Sequence, residues 1–191
     1  MILFNTNLTI KKLVEILNYL TFVYTNIVGT NVTITTLTNV SMKIEDVIKS
    51  ENMTLSKRAI MNVMYAHSVV AENISDVMKR YDLSPEQFNV LRILRGQKGK
   101  PANMGIIQDR MIAKTSNTTR LVDKLLLKEL VNRKVCPGNR RQMEITITEK
   151  GLELLKELDP KVDEHEAKFA NNLTIHEQEQ LINLLEKYRT I

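Results

Sequence analysis

Residues 114–151 read KTSNTTRLVDKLLLKELVNRKVCPGNRRQMEITITEKG. Leu121, Val122, Leu125 and Leu126 recur at the three- and four-residue steps of a helix, so Ser116 to Leu130 is expected to be helical with these side chains inward. Ser116, Asn117, Arg120, Asp123 and Lys124 then share the outward side. Val131 to Cys136 and Met143 to Thr148 read as strands, the second alternating between apolar and polar residues. PGNRRQ joins them, with Pro137 and Gly138 as turn formers and Arg140 and Arg141 at the tip. Thr148 caps whatever helix begins at Glu149.

Upstream, SPEQ at 84–87 is a capping box with Pro85 in the first helical position. It opens a helix through Phe88, Val90, Leu91 and Leu94 that stops at Gly96. NMGIIQDRMI at 103–112 makes a shorter helix, and Ala113, Lys114 and Thr115 form the connection to the third. Three helices followed by a basic hairpin give a winged helix-turn-helix, about residues 84–148, in which the third helix enters a DNA groove and the hairpin meets the flanking backbone. Arginine can pair bidentately with guanine and asparagine with adenine, while serine and threonine bond bases or phosphates. The adjacent Arg140 and Arg141 suit a narrow, negatively charged minor groove.

Charge supports a polyanion partner. The excess of Lys and Arg over Asp and Glu is +1 for residues 1–41, +3 for 42–100, +5 for 101–150 and −4 for 151–191. The positive excess thus concentrates on the helix and hairpin that would face DNA. Lys114, Lys128, Arg133 and Lys134 are secondary candidates for phosphate.

From Met53 onward the pattern is helical. Thr54 or Ser56 can cap a helix running to about Tyr81, with Ile60, Val63, Met64, Val70, Ile74, Val77 and Met78 on its apolar side. At about 25 residues and some 40 Å it outreaches a small lobe, so its surplus apolar surface needs a partner. Leu152 to Phe169 and Ile175 to Ile191 are further amphipathic stretches, parted by Asn171 and Asn172, with Thr174 and Glu177 forming a second capping box. Packing of these terminal helices, about 54–81 and 149–191, against a second copy predicts a symmetric homodimer. The fold class expected is mainly α with a small β-hairpin: a winged helix-turn-helix lobe plus a helical dimerisation region, one domain over 42–191.

Residues 1–41 differ in character, being rich in Asn and Thr, as in NVTITTLTN at 31–39. The apolar run from Leu13 to Gly29 is interrupted by Glu15, Asn18 and Asn26, which argues against a membrane span. Lys11 and Lys12 precede it, but no small-residue cleavage site follows. The segment is expected to be a poorly ordered extension or the product of an early start, with Met42 as the alternative start. The lone Cys136 precludes an intramolecular disulfide, and no Cys/His cluster suggests zinc. A cytoplasmic protein without metal or cofactor is expected. No Gly-rich phosphate loop or nucleophile elbow appears, so no catalytic residue is assigned and an enzyme is not expected.

The run from Ser84 to Glu153, above all SNTTRLVDKLLLKELVNRK, then NRR, then ITITEKG, resembles the MarR family of bacterial transcription regulators. The resemblance covers about residues 54–191. It implies double-stranded DNA as partner, with Ser116, Asn117, Thr119 and Arg120 at the major groove and Arg140 and Arg141 at the minor groove; Thr115 and Lys124 are further DNA-binding candidates, Lys124 through phosphate. The function expected is a homodimeric regulator on a pseudo-palindromic operator, a repressor rather than an activator, modulated by a small ligand. Asn139 departs from the family pattern, which usually carries Asp before the two arginines. The family often lodges ligands between the dimerisation helices and the DNA-binding lobe, which brings Tyr65 and His67 forward. The plainer reading of His67 is a buried histidine satisfied by a carbonyl. His165 and His176 are expected to face solvent. Met61, Met64 and Met78 are either core filler or an adaptable pocket lining. Cys136 is read as a packed strand residue, the family's peroxide sensors carrying their cysteine in the first helix. A winged helix serving only as a protein-interaction or dimerisation module is the alternative function.

Overall fold

The computed structural model describes residues 42–190, apart from the side chain of Arg140. The expectation for residues 1–41 lies outside the described residues. The chain divides into two compact units, 1–62 and 63–191, and each is taken by itself. The described part of the first holds a short helix, α1 (Ile44–Ile48), where Glu45 pairs with Arg58 at 3.4 Å.

The order of the remaining elements is α2 (Leu55–Lys79), α3 (Pro85–Arg95), α4 (Met104–Arg110), α5 (Thr118–Leu127), β1 (Val131–Cys136), β2 (Asn139–Ile147), α6 (Glu149–Ala170) and α7 (Ile175–Tyr188). This is the helix–helix–helix–hairpin order expected from the sequence. Thr54 Oγ1 accepts from Lys57 N at 3.3 Å, which singles out Thr54 rather than Ser56 as the start of α2. Both capping boxes form: Ser84 with Gln87, and Thr174 with Glu177. Each satisfies two backbone or side-chain partners that a bare helix end would leave open.

The core of the second unit sits where α3, α5 and α6 meet the sheet. Val90, Leu91, Leu125, Val122, Ile145, Leu155 and Leu158 are fully enclosed, each such side chain contributing about 1.5–3 kcal/mol by leaving water. Met78 joins them at the inner end of α2. That settles Met78 as core filler, while Met64 is exposed and Met61 half-buried. At the far end of α3, Arg95 forms an ion pair with Asp159 of α6.

Two features of the wing were not foreseen. Ala102 pairs with Ile145 through Ala102 N to Ile145 O at 2.9 Å and Ile145 N to Ala102 O at 2.8 Å, so the link between α3 and α4 lies along β2 like a one-residue third strand. The hairpin turn is also tighter than PGNRRQ suggests. Only Pro137 and Gly138 form it, and Asn139 to Gln142 belong to β2. Val135 pairs with Met143 but Cys136 with Asn139, so residues 140–142 bulge out of the ladder. Such a bulge bends the strand and re-aims its side chains.

β2 passes into α6 through Thr148. Its hydroxyl donates to Glu129 O at 2.8 Å and accepts from Gly151 N at 3.1 Å. Gly151 is required by close approach: a Cβ there would stand 2.4 Å from Leu130 O and 2.8 Å from Ile147 Cγ1. The Thr148–Glu149–Lys150–Gly151 run is thus both a cap and a contact with the wing's base. α6 continues through Pro160, buries Val162, and beyond it has no buried residue; α7 has none at all.

Candidate nucleic-acid interface

Helix α5 begins two residues later than its apolar spacing suggests. Asn117 is the N-cap, its Oδ1 accepting from Arg120 N at 3.1 Å, and helical geometry starts at Thr118. Asn117 Oδ1 is therefore engaged at the helix start, while its amide nitrogen takes no part in the cap. The helix ends at Leu127 rather than Leu130, because Leu130 N turns back to Leu125 O and Glu129 adopts φ 60°.

The inward and outward sides fall largely as expected, although Ser116 and Asp123 of the outward set are half-buried. Val122 and Leu125 are buried, Leu121 and Leu126 are half-buried, and Thr115, Asn117, Thr119, Arg120 and Lys124 are exposed. Ser116 is half-buried, its N–H donating to Ala113 O at 3.1 Å within the connecting turn. Thr118 alone among its neighbours is buried. No acidic residue lies in the first turn of α5, so the partial positive charge of its N-terminus is unopposed there.

Ion pairing separates the basic candidates. Lys128 donates to the backbone oxygen and carboxylate of Asp82, in the turn after α2, and Arg133 Nη1 lies 2.7 Å from Asp123 Oδ1. The Lys128 ammonium holds the Asp82 carboxyl below the usual carboxylate range. Lys114 Nζ donates to Asp109 O. Arg120 and Lys124 form no salt bridge among the described residues, so these two exposed cations of α5 remain available. Arg141 is exposed on the bulged part of β2. Asn139 Oδ1 accepts from Arg141 N at 3.1 Å, so the neutral residue still organises the turn. Arg140 belongs to β2, and its side chain lies outside the described residues.

One contributor carries no local signature in the sequence. Gln108, half-buried on α4, donates from Nε2 to Lys114 O at 2.7 Å and accepts at Oε1 from the Thr118 hydroxyl. Its partners lie six and ten residues away, beyond the reach of a periodicity argument.

Two of the three histidines depart from their expected environments. His67 is exposed rather than buried, and lines an apolar groove of about 400 Å³ with Val70, Ile74, Pro85, Asn89, Met111 and Ile112 among its walls. Tyr65 is exposed and not part of that lining. A larger hollow of about 640 Å³ is walled by the charged residues Glu72, Asp76, Lys79 and Glu86 among others and lies open to solvent. His165 is half-buried against Phe169, ring centroids 5.5 Å apart, with its Nε2 enclosed and without a hydrogen-bond partner among the described residues. His176 is exposed as expected and lies 3.0 Å from Gln180 Nε2. Cys136 is half-buried beside the bulge. Among the described residues no three His, Cys, Asp or Glu side chains converge as a metal site, and no helix is long and apolar enough to cross a membrane.

Residues 83–143, from the turn before α3 to the middle of β2, match the model of the MarR family. The chain is 29% identical over 116 residues to the HTH-type transcriptional regulator MhqR of Bacillus subtilis, covering 61% of this chain and 77% of that protein. It is 32% identical over 122 residues to the uncharacterized HTH-type transcriptional regulator YkoM of the same organism, covering 63% and 76%. The crystal structure of a MarR transcription factor from Planctomyces limnophilus superposes with a TM-score of 0.57 at 30% identity, over 71% of this chain and 98% of that one. With its three helices, its hairpin and the outward basic residues between them, the chain belongs to the MarR family of DNA-binding transcription regulators.

Proposed function

We propose that the protein is a homodimeric, sequence-specific repressor on a pseudo-palindromic operator, released by a small ligand. The observation that carries the DNA-reading part is the exposed, unpaired pair Arg120 and Lys124 on α5 beside the exposed Arg141 of the wing. In this reading Arg120 pairs with a base edge, and Thr115, Ser116, Asn117, Thr119 and Lys124 divide base and phosphate contacts between them. Arg140 and Arg141 enter the adjoining minor groove.

The homodimer is supported by apolar surface left uncovered in the single chain. Leu181, Ile182, Leu184, Leu185 and Tyr188 of α7 are all exposed, as are Met64 and Val70 of α2. A 14-residue helix with no buried side chain is marginal in water, and a continuous apolar stripe calls for a covering partner. A second copy supplies it and brings two recognition helices to half-sites about 34 Å apart. Residues 42–191 then act as one domain, with α2, α6 and α7 for dimerisation and 84–148 for DNA, working in the cytoplasm.

The groove beside His67 supports the ligand. Its volume suits a small aromatic or aliphatic molecule, and Met111 and Ile112 join it to the segment leading into α5. A ligand that binds the DNA-free arrangement more tightly would lower operator affinity by that differential alone. The experiment is selection of genomic fragments by the full-length protein, followed by titration of the enriched pieces at two salt concentrations. One inverted repeat bound by a dimer supports the proposal. Weak, sequence-blind binding that no candidate effector sharpens would favour a protein-interaction module instead.

A further inference from the structure

Between the end of α4 at Arg110 and the start of α5 at Thr118 the chain has no regular hydrogen-bonded structure. Thr115, Ser116 and Asn117 all lie in this stretch. Its pose relative to the rest of the lobe must be fixed by something, since an unrestrained seven-residue link would leave the first contacts with DNA to be ordered at a cost on binding.

The Gln108 side chain supplies that restraint. Lys114 offers a carbonyl, which can only accept, so the amide nitrogen of Gln108 must face it at 2.7 Å. The amide oxygen is then turned toward Thr118, whose hydroxyl must donate. One planar group thus pins two points of the chain, residue 114 before the contact stretch and residue 118 after it. Thr118 is only 5% exposed, so its hydroxyl has little water to turn to if the partner is removed. Met111, at the start of the link, is held from the other side, where Asn89 Nδ2 approaches its sulfur at 3.7 Å.

We propose that Gln108 is a positioning residue for base recognition: through Lys114 O and the Thr118 hydroxyl it presets the 115–117 stretch and the first turn of α5 for the DNA groove. This rests on the reading that α5 carries the base contacts. Gln108 itself touches no base. It sharpens discrimination and leaves the sequence-independent attraction to phosphate unchanged.

The test compares full-length wild type with Gln108→Leu, Thr118→Val, Thr118→Ser and Arg120→Ala. Affinity is measured for the selected operator and for an unrelated duplex of equal length at two salt concentrations, with thermal melts to establish folding. Loss of the two hydrogen bonds is expected to lower the operator-to-unrelated affinity ratio about tenfold in Gln108→Leu. Thr118→Val should fall in the same direction and Thr118→Ser, which keeps the hydroxyl, should stay near wild type. The salt slope on the unrelated duplex should not change. If Gln108→Leu fails to fold, the Val and Ser pair at 118 decides. An unchanged ratio in folded Gln108→Leu and Thr118→Val, with Arg120→Ala lowering it, overturns the positioning role alone. An unchanged ratio in Arg120→Ala as well overturns the α5 reading and this inference with it.

Discussion

Arg133 on the first strand of the wing reaches back to Asp123 on α5, Nη1 to Oδ1 at 2.7 Å, joining the helix to the hairpin. Both side chains are a third to a half exposed, so the pair contributes little to stability, about 0–1 kcal/mol. Its larger effect is on charge. Asp123→Asn should leave the melting temperature nearly unchanged, free Arg133 for phosphate, and steepen the salt dependence of non-specific binding by about one unit of log–log slope. Titration of an unrelated duplex across salt concentrations checks this.

Arg120→Ala should weaken operator binding by about 1–3 kcal/mol and relax preference at the base it pairs with. Competition between operator variants is the measurement, and an unchanged affinity removes Arg120 from the interface.

Replacing both Arg140 and Arg141 by Ala should reduce the magnitude of the salt slope by about two, one released counterion set per lost contact. Thermal stability should hold, because the bulge carrying these residues lies outside the regular ladder. If binding and its salt dependence both survive, the hairpin is not a DNA element.

Gly151→Ala should destabilise the fold by about 1–3 kcal/mol, since the new Cβ meets the Leu130 carbonyl, which belongs to backbone and cannot swing aside. Chemical denaturation measures it. Thr148→Ala should cost about 1 kcal/mol by the same method through loss of the cap.

Asp82 titrates below the usual carboxylate range because of Lys128. Its charge therefore favours the folded state above the unfolded pKa, and that contribution fades as pH falls through the lower folded value. Asp82→Asn should melt slightly below wild type at neutral pH, and the two curves should converge in strong acid. A difference that grows on acidification would contradict the pairing.

Much of this was legible in the chain because the signals are local. Ser84 with Gln87, Thr174 with Glu177, and the spacing of Val122 and Leu125 need only a few residues to declare themselves. The start of α5 at Thr118 differs from the expected Ser116 because apolar spacing does not mark a helix end, which is set here by the Asn117 side chain accepting from Arg120 N. The extent of the wing turn was misjudged because strand pairing across the bulge is set by register, which side-chain alternation in one strand does not contain. His67 and His165 exchanged their expected environments since burial depends on which elements meet, and Gln108 stayed unseen because its partners come from beyond the turn.

A single residue, Thr148, separates the end of β2 from the start of α6, and both faces of its hydroxyl are committed. With the neighbouring Gly151 close against the Leu130 carbonyl, this joint is packed as well as hydrogen-bonded. The wing and α6 are thereby coupled through one short joint, so a displacement of the hairpin is passed to α6 rather than taken up between them.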